Sequence, residues 1–271
     1  MVENTQLSSG REGQVALVTG ATGAIGKAIA SKLASNGFEV VVAGRDENRT
    51  QKAVQDISTG TGNKFVRYEL VDLARHKSIS ALADSWDGPL HVLVNNAAAC
   101  PQKRQETAEG IEVQLATNVL GYFWMTQAFR NRLAGSSPAR VVNVASYWAG
   151  GLDLNDLEFK QRRYSNGQAY RQSKQANRML TTAFAERFRE LNIPVVACHP
   201  GDVNSKLSND LGFSGSESPD QGADTPVWLA TRPFGMEDTG KYFEHRRAVS
   251  DRFVTDLAAV EALYQACLAY P

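Results

Sequence analysis

Tyr170 and Lys174 are the two residues of this sequence whose types and spacing point most directly to chemistry. They are four positions apart in a helical segment, so their side chains would leave the same helix face, one turn apart. The Lys ammonium favours the tyrosinate, which predicts a phenol pKa lowered toward neutral pH. Such a phenol can pass a proton to a carbonyl oxygen while a hydride reaches the carbon. For this spacing taken alone, an incidental pair on a solvated helix face is the alternative.

Polar residues elsewhere in the chain favour the chemical interpretation. Ser146 follows a predicted strand at 140–145, which places its hydroxyl at the carboxyl end of that strand. The sequence Asn95-Asn96-Ala97-Ala98 follows another predicted strand in the same way. Asn118 lies inside a predicted helix, where a buried amide needs a hydrogen-bond partner. A hydrolase with Ser146 as nucleophile is disfavoured, because the Gly-x-Ser-x-Gly sequence of such enzymes is absent.

A glycine-rich turn near the start of the sequence predicts a phosphate-binding site. The run QVALVT leads directly into Thr19-Gly20-Ala21-Thr22-Gly23-Ala24-Ile25-Gly26, after which a helical pattern begins. Gly20 would let the chain turn sharply off the strand, and Gly26 would let the helix approach the sheet. Free N–H groups at a helix start bind phosphate, so we expect this turn to hold the pyrophosphate of a dinucleotide. The alternative is an ordinary strand-to-helix turn, which does not need so many small residues.

Arg45 bears on which dinucleotide is bound. The second predicted strand ends in Ala43-Gly44-Arg45-Asp46, where the adenosine ribose is expected. A carboxylate at this place accepts hydrogen bonds from the 2′-hydroxyl, whereas a guanidinium pairs with a 2′-phosphate. Arg45 therefore favours NADP(H) over NAD(H), unless Asp46 turns inward. An arginine that is only solvated is the alternative.

The elements that must position these residues alternate between strands and helices. Several of the strand-forming runs are apolar on both faces, as expected for a parallel sheet covered by helices on both sides. The alternation predicts an α/β fold: a doubly wound, Rossmann-type domain with a mainly parallel sheet flanked by helices, and a ligand at the carboxyl ends of its strands. Predicted strands are 15–19, 39–43, 64–69, 90–94, 140–145, 194–198 and 241–244; predicted helices lie near 25–36, 48–57, 77–86, 108–133, 168–191 and 251–269.

The chain is predicted to form a single domain over residues 14–271, after a flexible polar tail at 1–13. No internal repeat and no shift in composition indicates a second domain. The segment 204–226 is rich in Gly, Ser, Asp and Pro and has no clear periodicity. It is either a surface loop or a mobile lid over a site, since long loops in compact domains are often functional.

Composition excludes several classes of protein. Of the 271 residues 42% are apolar, and Lys+Arg (29) equal Asp+Glu (29), so no net field attracts nucleic acid. The four histidines have no metal-binding spacing, and no metal is predicted. Three scattered cysteines without a CxxC pair favour a reducing compartment, and we expect a cytoplasmic protein. The sequence contains no run of about 18 apolar residues, so no membrane span is predicted. The first 13 residues lack the apolar core of a secretory signal.

Together these motifs resemble those of the short-chain dehydrogenase/reductase family, in the family's order, over roughly residues 14–245. Within the family, the retinol-dehydrogenase-like branch is most similar. The sequence AYRQSKQAN around Tyr170, the sequence His199-Pro200-Gly201 and the long spacing of 24 residues from Ser146 to Tyr170 indicate this branch. The family motifs are Thr19–Gly26, Asp72, Asn95–Ala98, Asn118, Ser146, Tyr170-x-x-x-Lys174 and Pro200-Gly201.

The resemblance implies a role for each of the matching residues. Tyr170 would be the general acid/base, and Ser146 would hydrogen-bond the substrate oxygen. Lys174 would bind the nicotinamide ribose and lower the pKa of Tyr170, while Asn118 would hold a water relay to Lys174. Further implied cofactor contacts are Gly20, Thr22, Gly23, Ala24, Ile25 and Gly26 in the turn; Asp72 and Leu73 at the adenine; Asn96 and Ala97 near the adenosine ribose; and Pro200, Gly201, Val203 and Ser205 near the nicotinamide.

The sequence departs from the family pattern at four positions. Ala24 stands where many members have a third glycine, and Ala98 replaces the usual glycine after Asn-Asn-Ala. Ser205 takes the place of a common threonine that holds the nicotinamide carboxamide. Asp202 is an unusual acid near the nicotinamide, and we expect its side chain to point to water.

Apolar residues in two segments predict a fairly lipophilic carbonyl or alcohol substrate. The insert between Ser146 and Tyr170 and the segment 204–226 should line the pocket, although ordinary core or lid packing is the alternative. Retinol-like relatives usually carry a membrane anchor; since none is expected here, a soluble aldehyde or ketone is favoured over a retinoid. The residues concerned are Trp148, Leu152, Leu207, Leu211 and Phe213 in these segments, together with Trp228 just beyond the second.

The sequence therefore predicts an NADP(H)-dependent oxidoreductase that transfers hydride between nicotinamide and a small carbonyl or alcohol substrate. The alternative is a non-catalytic, dinucleotide-sensing or scaffold protein of the same fold, which would be expected to have lost Tyr170 or Lys174. The helices at 108–133 and 168–191 could pair with copies of themselves in a homo-oligomer, and the oligomeric state stays open.

Overall fold

In the part of the chain that the structure describes, eight strands form one central sheet. The computed structural model describes Arg11, residues 13–233 and residues 235–271. The strands are β1 Val15–Thr19, β2 Glu39–Gly44, β3 Val66–Leu70, β4 Val92–Asn95, β5 Arg140–Val144, β6 Val195–Cys198, β7 Tyr242–Glu244 and β8 Arg247–Val249. Their order is β3-β2-β1-β4-β5-β6-β7-β8, and every neighbouring pair is parallel except β7 and β8.

Helices cover both faces of this sheet and enclose two hydrophobic cores. The helices are α1 Ala24–Ser35, α2 Glu47–Thr61, α3 His76–Ser85, α4 Gly121–Ala128, α5 Arg130–Ala134, α6 Asn166–Arg187, α7 Lys206–Asp210, α8 Pro219–Gly222, α9 Asp224–Thr231 and α10 Leu257–Leu268. Side chains of α1, α2 and α9 pack on one face, and those of α3, α4, α6 and α10 on the other. The predicted α/β fold, with its doubly wound and mainly parallel sheet, is confirmed.

The strands are apolar on both faces because each face meets helices. In β1, Leu17 belongs to the core under α4 and α6, while its neighbour Val18 belongs to the core under α1. Both side chains are fully buried, and burying a side chain of this size stabilises a fold by roughly 1.5–3 kcal/mol. This packing fixes the register of the parallel strands. Their carboxyl ends therefore lie at one edge of the sheet, together with the glycine turn that follows β1.

The predicted helix at 108–133 differs from the observed structure at its start. Thr107 and Gly110 form a turn in which the Thr107 hydroxyl accepts the N–H of Ile111, and Gly110 has a φ of +78°. The helical segment then includes a π-helical stretch at Leu115–Leu120, which continues directly into α4. Gly110 could have indicated this turn in the sequence, because glycine readily adopts the left-handed conformation that ends a helix or forms a turn.

Near the C-terminus the structure contains more elements than the sequence predicted. Segment 204–226 includes the short helices α7 and α8, and the predicted helix at 251–269 is a turn at Arg252–Val254 followed by α10. Strand β8 was not predicted. The turn before it has positive φ at His245 (+46°) and Arg246 (+62°), and neither residue type marks a hairpin in a sequence.

Most of the predicted flexible tail, residues 1–10 and 12, lies outside the described residues. Arg11 is held against the body: its guanidinium donates to the Thr231 carbonyl and lies 5.4 Å from the centre of the Phe38 ring. None of the helices in the described ranges has the length and hydropathy to cross a membrane. The same ranges contain no group of three His, Cys, Asp or Glu side chains placed to bind a metal ion.

Candidate active site

Ser146, Tyr170 and Lys174 come together at the carboxyl edge of the sheet. Ser146 lies two residues beyond the end of β5, and the other two are on α6, which packs against β5 and β6. All three side chains are nearly enclosed, with exposed fractions of 6%, 9% and 2%. The Ser146 hydroxyl lies near enough to the Tyr170 phenol to lower its pKa. The predicted constellation is therefore present as a spatial cluster.

Lys174 is buried beside Tyr170 but makes no hydrogen bond with its hydroxyl. Its Nζ donates to the Val144 carbonyl at 2.8 Å and lies 5.6 Å from the centre of the Tyr170 ring. It also lies 5.3 Å from the ring centre of Tyr122, which the sequence analysis did not single out. Because burial penalises the ammonium, the pKa of Lys174 falls to about 7.

The prediction that Lys174 lowers the pKa of Tyr170 is wrong for this structure. Burial raises the pKa of Tyr170 above its ordinary value, and the nearby Ser146 hydroxyl offsets only part of this effect. The ammonium of Lys174 is engaged by the Val144 carbonyl instead. The phenol is thus protonated near neutral pH, which is the form that can donate a proton to a carbonyl oxygen.

Asn118 is fully buried in the π-helical stretch, and both ends of its amide are bonded to one residue. Its Oδ1 accepts the N–H of Ala99 at 2.7 Å, and its Nδ2 donates to the Ala99 carbonyl at 3.0 Å. The Nδ2 group also reaches the Ser173 hydroxyl, 3.3 Å away and adjacent to Lys174 in sequence. π-Helical turns are often found at functional sites. Here the turn lets Asn118 join the segment after β4 to α6.

The glycine turn after β1 is open at the N-terminus of α1. A Cβ on Gly20, whose φ is +67°, would lie 2.7 Å from the Cα of Ala97. No side chain caps α1, and the flanking residues Gly23 and Ala24 are exposed. The first turn of α1 therefore begins at exposed residues and has no capping side chain, as an anion-binding turn requires. Thr22 and Ile25 line this turn and are partly buried.

Thr19 connects the turn with the neighbouring strand end, a role the sequence did not reveal. Its Oγ1 accepts the backbone N–H groups of Asn96 (2.9 Å) and Ala97 (3.2 Å). The Asn96 side chain in turn donates to the Thr19 carbonyl at 2.9 Å. The ends of β1 and β4 are thereby held together, which fixes the position of the predicted cofactor residues Asn96 and Ala97.

We expect Gly26→Ala to destabilise the protein by about 1–3 kcal/mol, the usual cost of overpacking. The added Cβ would lie 2.5 Å from both the Asn96 Nδ2 and the Gly20 carbonyl oxygen. Urea unfolding without dinucleotide measures this free energy. Gly23→Ala is the matched control, because its Cβ would meet only the Gly20 oxygen at 3.4 Å. Equal stability of the two variants would contradict the close approach of α1 to the sheet.

An open cavity of about 460 Å³ lies at the ends of β2 and β3, where the adenosine is predicted. Arg45 is exposed there and makes no side-chain hydrogen bond or ion pair with the described residues. Asp46 caps α2 by accepting the Arg49 N–H at 3.0 Å, so its carboxylate has not turned inward. Leu73 is buried in the core and does not line the cavity. The lining residues are Arg45, Asp46, Leu70, Val71, Asp72 and Ser78.

The turn after β6 is built around Pro200-Gly201. Gly201 has a φ of +110°, and the Glu217 carboxylate occupies the place where a Cβ would lie. Val203 is buried and pairs with Glu217 in a parallel bridge. Ser205 caps α7 by accepting the N–H of Ser208 at 3.2 Å, so its hydroxyl already has a structural partner.

Asp202 does not simply point to water, as the sequence analysis expected. The hydroxyl of Tyr147 donates to its Oδ2 at 3.1 Å. The Tyr147 ring also packs edge-on against His199, with ring centres 4.6 Å apart. Tyr147 therefore joins the strand end that carries Ser146 to the turn after β6.

The predicted substrate-pocket residues divide between two places. Trp148 packs on Phe213 with ring centres 4.6 Å apart, and Leu207 and Leu211 are partly buried in the same α7 segment. Leu152 is partly buried and packs against the hydrophobic core under α6. Trp228 packs on the opposite face of the sheet, against Phe243.

The fold and the site define a doubly wound α/β protein with an open glycine turn after β1 and with a serine, a tyrosine and a lysine at the carboxyl edge of its sheet. Comparison with known families gives the particular family, because residues 14–213 match the family model of the short chain dehydrogenases. The chain belongs to the short-chain dehydrogenase/reductase family.

The chain is similar to human retinol dehydrogenase 12, with 40% identity over 200 residues, which are 72% of this chain and 63% of that protein. It thus spans less than two thirds of the length of this relative. The predicted likeness to the retinol-dehydrogenase-like branch is confirmed.

Two solved structures are also similar. An uncharacterised protein from Mycobacterium paratuberculosis has 27% identity and a TM-score of 0.80, with 96% of both chains covered. A metagenomic short-chain oxidoreductase in complex with NADP has 27% identity and a TM-score of 0.63, covering 82% of this chain and 92% of that one.

Proposed function

We propose that this protein is an NADP(H)-dependent oxidoreductase that transfers hydride between nicotinamide and a lipophilic carbonyl or alcohol substrate. One observation carries the proposal: Ser146, Tyr170 and Lys174 converge at the same edge of the sheet as the open turn at the start of α1. Membership of a dehydrogenase family supports it.

The site residues would act on the oxygen of the substrate. When bound, the nicotinamide supplies or accepts the hydride. A carbonyl oxygen gains negative charge as hydride arrives, and the hydroxyls of Ser146 and Tyr170 would stabilise it by hydrogen bonding. Tyr170 would then donate its proton to this oxygen. Lys174 would hold the nicotinamide ribose from its buried position beside the Tyr170 ring.

The burial of the site adds to this chemistry. Because Ser146, Tyr170 and Lys174 are nearly enclosed, little water competes for the substrate oxygen, and hydrogen bonds there are stronger than in bulk water. The aromatic pair Trp148 and Phe213 supplies apolar surface beside Ser146. These features favour a hydrophobic carbonyl compound as substrate.

Absorbance at the reduced nicotinamide band, with a panel of carbonyls and alcohols of graded hydrophobicity, tests the proposed reaction. We expect turnover that increases with the hydrophobicity of the substrate. Intact binding of NADPH with no turnover of any compound would refute catalysis and would favour a dinucleotide-sensing or scaffold protein.

We expect Arg45→Asp to lower the ratio of kcat/KM for NADPH to kcat/KM for NADH by about 10–100-fold. The guanidinium is free to pair with a 2′-phosphate in the cavity after β2, and hydrogen bonds to charged groups are worth roughly 1.5–3 kcal/mol. The NADP complex of a related oxidoreductase supports this choice of cofactor. The measurement is the steady-state kinetics with each cofactor.

The control for this prediction is Arg130→Asp. Arg130 is exposed at the start of α5, shortly before β5 and therefore toward the amino ends of the strands. This variant changes the net charge equally without altering the cavity after β2. A ratio of cofactor efficiencies that is the same in both variants would remove Arg45 from the phosphate site.

A further inference from the structure

The loop formed by residues 204–216 is closed at its base by backbone pairing. Val203 and Glu217 form a parallel bridge. The N–H of Asn204 donates to the Glu217 carbonyl, and the N–H of Glu217 donates to the Asp202 carbonyl, both at 3.0 Å. Gly215 packs so tightly on the backbone of Val203 that a Cβ would overlap it. The loop thus leaves and rejoins the body at one fixed point.

The far end of this loop is bound to the body by two side-chain amides. Asp210 is the last residue of α7, and the last carbonyls of a helix have no partner within the helix. The Nδ2 of Asn166 donates to the Asp210 carbonyl at 3.0 Å, and the Nε2 of Gln102 donates to the same oxygen. Gln102 follows β4 and Asn166 begins α6, so two separate elements hold one carbonyl.

A ring contact joins the same end of the loop to the candidate active site. Phe213 packs on Trp148 with ring centres 4.6 Å apart and planes inclined by 51°. The backbone N–H of Trp148 donates to the hydroxyl oxygen of Ser146 at 3.1 Å. Asn166 lies one helical turn before Tyr170 on α6. The contacts that hold the loop therefore lie beside the groups proposed to touch the substrate.

We propose that Gln102 and Asn166 are positioning residues that hold the 204–216 loop closed over the carbonyl substrate. The inference rests on the proposed function for the identity of the ligand, but the contacts it invokes do not depend on it. The closed loop places Leu207, Leu211 and Phe213 as a wall of the substrate pocket. Exchange of substrate and product then requires both amide hydrogen bonds to Asp210 to open, while the base at Val203 and Glu217 stays paired.

The double variant Asn166→Asp with Gln102→Glu tests this role. Each change removes the N–H donor and keeps the shape of the side chain. Asp at position 166 retains the Oδ1 that accepts the Gly167 N–H, and a negative charge in the first turn of α6 is favourable, so the fold should persist. A hydrogen bond of ordinary net strength corresponds to about a fivefold effect, and two should give roughly 5–25-fold.

The first readout is hydrogen–deuterium exchange of residues 206–213, measured without substrate. We expect exchange in the double variant to be about tenfold faster than in wild type. The second is steady-state kinetics: KM for the carbonyl substrate should rise about 5–25-fold, while KM for NADPH changes less than about twofold, because the loop base stays paired.

The matched control is Asn155→Asp, an exposed amide in the insert before α6 whose side chain has no partner among the described residues. It makes the same kind of change and should alter neither readout. Unchanged exchange at 206–213 in the double variant would overturn the proposal. Faster exchange with an unchanged KM for the substrate would overturn it as well, since the loop would then not position the substrate. An inactive wild type would refute the proposed function, and the exchange result would still decide whether Gln102 and Asn166 hold the loop.

Discussion

Tyr170→Phe is expected to lower kcat at least about a hundredfold while leaving NADPH binding unchanged. The substitution removes a single hydroxyl, the one that lies near Ser146, and keeps the ring that packs near Lys174. Because burial keeps the phenol protonated, this hydroxyl is able to donate a proton to the oxygen of a carbonyl substrate. Single-turnover oxidation of NADPH measures the loss in the chemical step, and NADPH fluorescence titration measures binding.

Tyr122→Phe is the matched control for this experiment. Tyr122 is also a buried phenol near Lys174, but its hydroxyl donates to the Val144 carbonyl at 3.3 Å. We expect kcat of this variant to stay within about fivefold of wild type, because an ordinary hydrogen bond is worth roughly 1 kcal/mol. If Tyr170→Phe retained turnover within the same range, Tyr170 would not be the proton donor.

The second large effect concerns Lys174→Met. Burial lowers the pKa of Lys174 from 10.5 to about 7, whereas an unfolded chain gives lysine its ordinary value. Between these values the unfolded state binds more protons than the folded state, so the free energy of unfolding rises with pH. Below about pH 7 the full cost of burying the charge is present. In the absence of dinucleotide we therefore expect Lys174→Met to be more stable than wild type at neutral pH, by on the order of a few kcal/mol.

Urea unfolding at about pH 6, 8 and 10 tests this prediction. The stability advantage of Lys174→Met should be largest at the lowest pH and should shrink as pH rises toward the ordinary pKa of lysine. Lys52→Met on α2 is the control, because Lys52 is largely exposed and should give no such trend. The same slope of stability against pH in wild type and Lys174→Met would contradict a lowered lysine pKa. Turnover of Lys174→Met should fall by at least about a hundredfold, since the ammonium proposed to hold the nicotinamide ribose is lost.

The predictions for Tyr170 and Lys174 distinguish the effect of each residue on catalysis from its effect on the stability of the fold. Lys174 costs stability because its ammonium is buried with one carbonyl partner, the Val144 oxygen. A lysine that destabilises the folded protein in the absence of dinucleotide is expected to have a functional role, since ionisable groups with shifted pKa values concentrate at functional sites. Tyr170, in contrast, is expected to change catalysis with little change in stability.

The sequence predicted well those features that depend on neighbours along the chain. The bounds of β1 agree to the residue, because its run of five apolar or β-branched residues ends at a glycine turn. The turn at Gly20–Gly26, the hydroxyl after β5 and the Tyr–Lys pair on α6 depend on local spacing and on the rule that parallel strands end at one edge. Strand β8 and helices α7 and α8 were missed, since their signals are short or depend on left-handed residues other than glycine.

By itself the sequence determined the alternation of strands β1 to β7 with the longer helices, the glycine turn before α1 and the gathering of Ser146, Tyr170 and Lys174 at one edge. Only the tertiary structure decided which partner each buried polar group takes. Lys174 bonds the Val144 carbonyl, Asp202 accepts from Tyr147, and Asp210 is held by Gln102 and Asn166. These partners are 30 to 108 positions apart in the chain, so local patterns contain no signal for them. Their choice follows from packing and from the cost of leaving a buried donor or acceptor unpaired.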